Sequence, residues 1–142
     1  MFMYGATSSL CLYAAQLVRI SEVSGKKIRL LGTASASKHA MLREAPYNYD
    51  VLVDYKETDW PQQIKAATST GQGVHYALDA ISVSPSVELT ESIFGPQGRF
   101  AAFRAPALGG FDMEKLRIKP VIGAVWQGLG VEIGYQAEYC SI

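Results

Sequence analysis

The chain has 142 residues, 49% of them apolar, which suits one domain able to bury a sizeable core. Thirteen basic and thirteen acidic side chains cancel, so no long-range field favours nucleic acid or an anionic membrane. The sequence has no basic run, no aromatic platform interleaved with basic residues and no apolar stretch of about 18 residues that could span a bilayer.

Met1–Tyr4 reads as an apolar strand that runs into a tight turn of small residues, Gly5-Ala6-Thr7-Ser8-Ser9-Leu10. Leu10, Tyr13, Ala14, Leu17 and Val18 then fall at i, i+3, i+4, i+7 and i+8, a stripe expected to pack on a sheet. Thr7, Ser8 and Ser9 suit the cap of such a helix. Small residues let a diphosphate approach the backbone, and the helix start offers free amides and the positive end of a dipole. The dinucleotide fingerprint carries three glycines, G-x-G-x-x-G, of which Gly5 alone stands here. Taken by itself, the turn fits a phosphate site and an ordinary strand-to-helix connection equally well. The apolar start is not read as a secretion signal, because it lacks a basic leader and its helical stripe runs past Ala15. Cys11 and Cys140 make no disulfide framework, and a reducing, cytoplasmic location is expected.

Strand and helix signals alternate from there. Residues 27–33 read as a second strand, 35–45 as a helix ending before Pro46, and Val51–Val53 as a third strand. Trp60, Ile64 and Ala67 mark one face of a helix with Pro61 in its first turn. Residues 74–78 read as a fourth strand, 84–94 as a helix, and 98–103 as a fifth strand entered through a turn at Gly95-Pro96-Gln97-Gly98. Residues 107–110 look like a loop, and 118–126 like one more strand interrupted by Pro120. This order implies an α/β, Rossmann-type doubly wound parallel sheet of about six strands with helices on both faces. Ligands on such sheets sit at the carboxyl ends of the strands, near the switch point.

The end of the second strand bears on coenzyme type. Thr33 to His39 holds no carboxylate and does hold Ser35 and Lys38, which alone read as a capping serine and a solvated lysine and, together with the first turn, suit a 2′-phosphate. Tyr55, after the third strand, suits the adenosine end or a capped sheet edge. His39 and His75 lack metal-ligand spacing, and His75 is expected to be a satisfied structural side chain. Asp79 is expected to form a turn rather than touch a nicotinamide.

Tyr4-Gly5-Ala6-Thr7-Ser8-Ser9-Leu10, Gly32-Thr33-Ala34-Ser35, Val53-Asp54-Tyr55-Lys56 and Tyr76 to Ser82 together resemble the medium-chain dehydrogenase/reductase superfamily. The nearest flavour is its zinc-independent, fungal enoyl-reductase and quinone-oxidoreductase-like branch, over residues 1 to about 133. The resemblance implies NADP(H) as cofactor, with Gly5, Ala6, Thr7, Ser8, Ser9 and Leu10 at the diphosphate. It puts Ser35, Lys38 and Tyr55 at the 2′-phosphate or adenosine, and Ala80, Ile81, Ser82 and Phe103 near the nicotinamide. It also implies a homodimer through the last strand, within residues 107–142. Relative to that family, residues 1–142 are expected to be a single cofactor-binding domain without the catalytic domain or the return segment. Such a chain would be a weakly active or inactive oxidoreductase domain. The alternative is a non-enzymatic interaction protein that binds a partner at the former domain interface.

Overall fold

The computed structural model describes residues 1–22 and 25–123. Six parallel strands form one sheet, β1 (Phe2–Tyr4), β2 (Leu31–Thr33), β3 (Val51–Val53), β4 (Val74–Asp79), β5 (Phe94–Ala102) and β6 (Val121–Ile122), in the order β3-β2-β1-β4-β5-β6. The strand order turns back on itself between β1 and β4, so the chain winds outward in both directions from that seam. Among the described residues five α-helices accompany the strands: α1 (Ser9–Ser21), α2 (His39–Arg43), α3 (Trp60–Ala66), α4 (Ser84–Ser92) and α5 (Pro106–Gly109).

Alternation along the strands divides the core in two. Phe2, Leu31, Val53 and Ala77 face one side and pack with Trp60 and Ile64 of α3 and Val87 of α4. Their chain neighbours Met3, Leu30 and Leu52 face the other, against Cys11, Ala15 and Val18 of α1 and Leu42 of α2. Phe2 stacks on Trp60 with ring centroids 5.5 Å apart and an 8° interplanar angle. Helices on both faces are what a parallel sheet needs, since neither side can be left to water.

Several expectations are corrected here. The buried stripe of α1 is Cys11, Ala15 and Val18. Tyr13 and Leu17, expected on the sheet, are 70% and 65% exposed, and Ile20 is 79% exposed. The helix carries two apolar faces, and the smaller side chains take the inner one because α1 lies close over β1. The second strand is shorter than read. The Leu30 amide donates to Asp50 Oδ2 at 2.8 Å instead of joining the ladder, so pairing starts at Leu31. The helix read over 35–45 is a 3-10 turn at Ala36–Lys38 followed by the short α2. The helix read to residue 94 stops at Ser92, and Phe94 opens β5. The turn read at 95–98 lies inside the span of β5, where the register against β4 slips between Val74 and Tyr76. Residues 107–109, read as part of a loop over 107–110, belong to α5, which is closed by Gly110 at φ +69°. His75, expected to be a satisfied structural side chain, does lie in β4, but its side chain is exposed. Of the strand read over 118–126, Val121–Ile122 pair with β5, and residues 124–126, like the tail beyond them and Cys140, lie outside the described residues.

Candidate functional site

The carboxyl ends of β1, β2, β3 and β4 converge on a groove of about 410 Å³ lined by Tyr4, Gly5, Thr7, Ser8, Ala34, Ser35, Tyr55 and Ile81. Depressions of about 270 and 420 Å³ lie elsewhere, around the amino-terminal stretch of β4 at His75. Topology favours the first, because the crevice of a doubly wound sheet opens at the carboxyl ends.

Gly5 makes the turn possible. Its φ of +74° is a conformation that side chains disfavour. A Cβ there would also stand 2.9 Å from Ile81 Cγ1. The Gly5 amide donates to Thr33 Oγ1 at 3.3 Å and the Ala6 amide to the Thr33 carbonyl at 2.8 Å, which ties the turn to β2. Ser8 then closes the bend, its amide donating to the Gly5 carbonyl at 2.8 Å. Its hydroxyl caps α1 by accepting from the Cys11 amide at 3.2 Å. Among the described residues, that leaves the amides of Thr7, Ser9 and Leu10 with no hydrogen-bond partner. A run of unpaired amides at the start of a thirteen-residue helix is suited to an anion. The residues present therefore fit a diphosphate. Ser8 serves here as the helix cap.

Ser35 lines the groove as the residue before the 3-10 turn, and its hydroxyl caps nothing. Tyr55 stands across from it, 43% exposed. Lys38 ends the 3-10 turn on the surface, outside the lining. Asp54, which the sequence places at a strand end without marking a role, is the electrostatic feature of this end. Its Oδ2 accepts from the Ala36 amide at 3.0 Å and its Oδ1 from the Lys56 amide at 3.0 Å. These two amides, first Lys56 and then Ala36, hold the carboxyl below the usual range, aided by the charges of Lys56 and His39.

On the other side of the seam Asp79 is fully buried and builds a turn. Its Oδ1 accepts from the amides of Ile81 and Ser82 at 2.8 Å each, and its Oδ2 from Ser86 Oγ at 2.5 Å. Burial pushes this carboxyl up, against the pull of those hydrogen bonds and of Arg104. Ser82 sits at φ +52° and is also buried. Its hydroxyl donates to the Asp79 carbonyl at 2.6 Å and accepts from the Phe103 amide at 2.8 Å, pinning β4 to β5.

The structure thus gathers Gly5, Thr7, Ser8, Ser35, Tyr55 and Ile81 in one groove, and adds Tyr4 and Ala34. Ala6 is buried under the turn, while Ser9 and Leu10 follow in the first turn of α1. Ala80, Ser82 and Phe103 lie at the ends of β4 and β5 outside the lining. Tyr4 was legible only as a strand residue. Its ring is tilted against Trp60, with centroids 5.5 Å apart, and it also lines the groove. Among the described residues no cluster of His, Cys, Asp and Glu could hold a metal ion, and no helix is long and apolar enough to cross a membrane.

No family model matches the sequence, and neither does any curated protein. Solved structures do resemble the fold. The CurF ER cyclopropanase from the curacin A biosynthetic pathway aligns at a TM-score of 0.71 and 17% identity over 91% of this chain and 37% of its own. An alcohol dehydrogenase superfamily protein from Novosphingobium aromaticivorans aligns at 0.65 and 15% identity, over 90% and 36%. The apo JamJ enoyl reductase aligns at 0.65 and 15%, over 91% and 38%. The chain spans well under half the length of each of these structures, and at such identities the likeness is one of fold.

Proposed function

We propose that this chain is the nicotinamide-dinucleotide-binding domain of an oxidoreductase of the medium-chain dehydrogenase/reductase type, taking NADP(H). The observation that carries the reading is the bend at Gly5. Among the described residues it leaves the amides of Thr7, Ser9 and Leu10 unpaired at the switch point of a doubly wound sheet. Ser35, Tyr55 and Lys38 lie on the side where a 2′-phosphate would rest. The likeness to enoyl reductases and to an alcohol dehydrogenase superfamily protein supports an enoyl-reductase-like or quinone-oxidoreductase-like relative. The bound coenzyme would supply hydride to an activated alkene or quinone, and the chain would position it.

The described residues hold the coenzyme rather than do acid–base work. Asp79, the acid of the turn after β4, has both carboxylate oxygens engaged. Turnover by this chain alone is therefore expected to be weak or absent. Calorimetry of the purified chain with NADPH and NADH tests the reading. Binding of NADPH that weakens several-fold in Lys38→Ala supports it. Absence of heat for both coenzymes at millimolar concentration removes it.

A second reading, a non-enzymatic interaction protein, is favoured by the apolar outer face of α1, where Tyr13, Leu17 and Ile20 stand exposed. It is the reading that survives if no coenzyme binds. A homodimer would use β6, whose Val121 is 71% exposed beside the sheet edge. Light scattering that gives a monomer mass at all concentrations would end the dimer idea.

A further inference from the structure

The adenosine end of the groove carries a charge that the NADP(H) reading does not use. Asp54 follows β3, but its carboxylate reaches sideways to the Ala36 amide, the first free backbone donor beyond Ser35 on the connection after β2. The same carboxylate accepts from the Lys56 amide, so it is fixed in place by two elements rather than swinging in solvent. Asp54 is not itself in the lining, but it precedes the lining residue Tyr55 in the chain and is bonded to the residue that follows the lining residue Ser35.

We propose that Asp54 is a specificity-determining residue that holds down the preference for NADPH over NADH. The inference rests on the dinucleotide reading above. A 2′-phosphate placed beside Ser35 would need donors and positive charge. One nearby amide is already spent on Asp54, and the carboxylate repels the incoming dianion. A 2′-hydroxyl, by contrast, is neutral and finds acceptor lone pairs still free on Asp54, since each oxygen takes one amide. The exposed cations Lys38 and Lys56 draw the phosphate in while Asp54 opposes them. The balance leaves both coenzymes admissible.

The test is calorimetric titration of the wild-type chain, Asp54→Asn and Asp54→Ser with NADPH and with NADH at low salt. Both variants remove the charge and keep one side-chain acceptor oxygen, enough for one of the two amides that the carboxylate holds. NADPH should bind about three- to tenfold more tightly to each variant and NADH about two- to threefold more weakly, as removal of a charge that repels the dianion and accepts from the 2′-hydroxyl implies. The gain should shrink in high salt. Equal shifts for the two coenzymes, or no gain for NADPH in a folded variant, would overturn the assignment while leaving the dinucleotide site intact. If the wild-type chain binds neither coenzyme, the dinucleotide reading itself fails and takes this one with it.

Discussion

Gly5 carries both the shape and the chemistry of the bend, so its replacement separates them. Alanine there must adopt a φ of +74°, which costs about 1–2 kcal/mol for a residue with a Cβ. The contact with Ile81 adds little, because the clashing atoms belong to the far end of a flexible side chain. Gly5→Ala is therefore expected to lower unfolding free energy by that amount in urea, and to weaken NADPH more than stability, since the free amides move. An unchanged affinity in a destabilised variant would mean that the bend does not hold phosphate. At this scale the sequence was partly readable. A glycine before Thr7 and Ser8 signals a turn, and serine signals a cap. Asp54 was unreadable as a partner of Ala36, because that pairing depends on β3 lying next to β2 in register.

α1 is the element where spacing misled. Leu10, Tyr13, Leu17 and Ile20 form as good an i, i+3, i+7 series as Cys11, Ala15 and Val18. Hydrophobicity alone ranks the larger side chains as core. Close approach of helix to sheet decides otherwise, since Cys11 and Ala15 are fully buried beside Met3. Two substitutions check this: Leu17→Glu should change stability by no more than about 0.5 kcal/mol, whereas Ala15→Glu should prevent folding. The same tight layer shows in β2, where a Cβ on Gly32 would lie 2.7 Å from Tyr49 Cε1 and 3.1 Å from Ala6 Cβ. Tyr49 cannot retreat, for it is buried with its hydroxyl donating to Met3 Sδ at 3.0 Å. Gly32→Ala should cost about 1–3 kcal/mol by overpacking, read as a lowered urea midpoint with unchanged slope. Elements whose pattern has one solution were legible, among them Val51–Val53 and the Trp60, Ile64 face of α3. Those set by tertiary competition, such as the start of β2 at Leu31, were not.

At the scale of the molecule, alternating strand and helix signals were enough to imply the doubly wound sheet, because handedness and short connections leave few ways to assemble them. What alternation cannot encode is how buried charge is distributed, and two aspartates make that distribution measurable. Asp50 accepts from the Leu30 amide at 2.8 Å and pairs with Lys27 at 2.8 Å and Arg19 at 3.0 Å. Partial burial works against its charge, but these partners outweigh it and hold the carboxyl at about 2, below the ordinary 3.8. A lowered value means stability that is present above 3.8 and lost as pH falls toward 2. For so solvated a group the loss is about 1 kcal/mol. Asp79 has the opposite sign. Burial raises its value above 3.8, so its contribution is present below 3.8 and lost as pH rises through the folded value. Urea unfolding from about pH 2 to about pH 7 should therefore show Asp50→Asn flattening the acid limb. Asp79→Asn should compare more favourably with the wild type at about pH 7 than at about pH 3, because the amide escapes the cost of ionising in a dry turn. A wild-type-minus-Asp79→Asn difference that stays level across that range would mean the turn after β4 is as wet as the surface, contrary to the burial of Asp79 and Ser82.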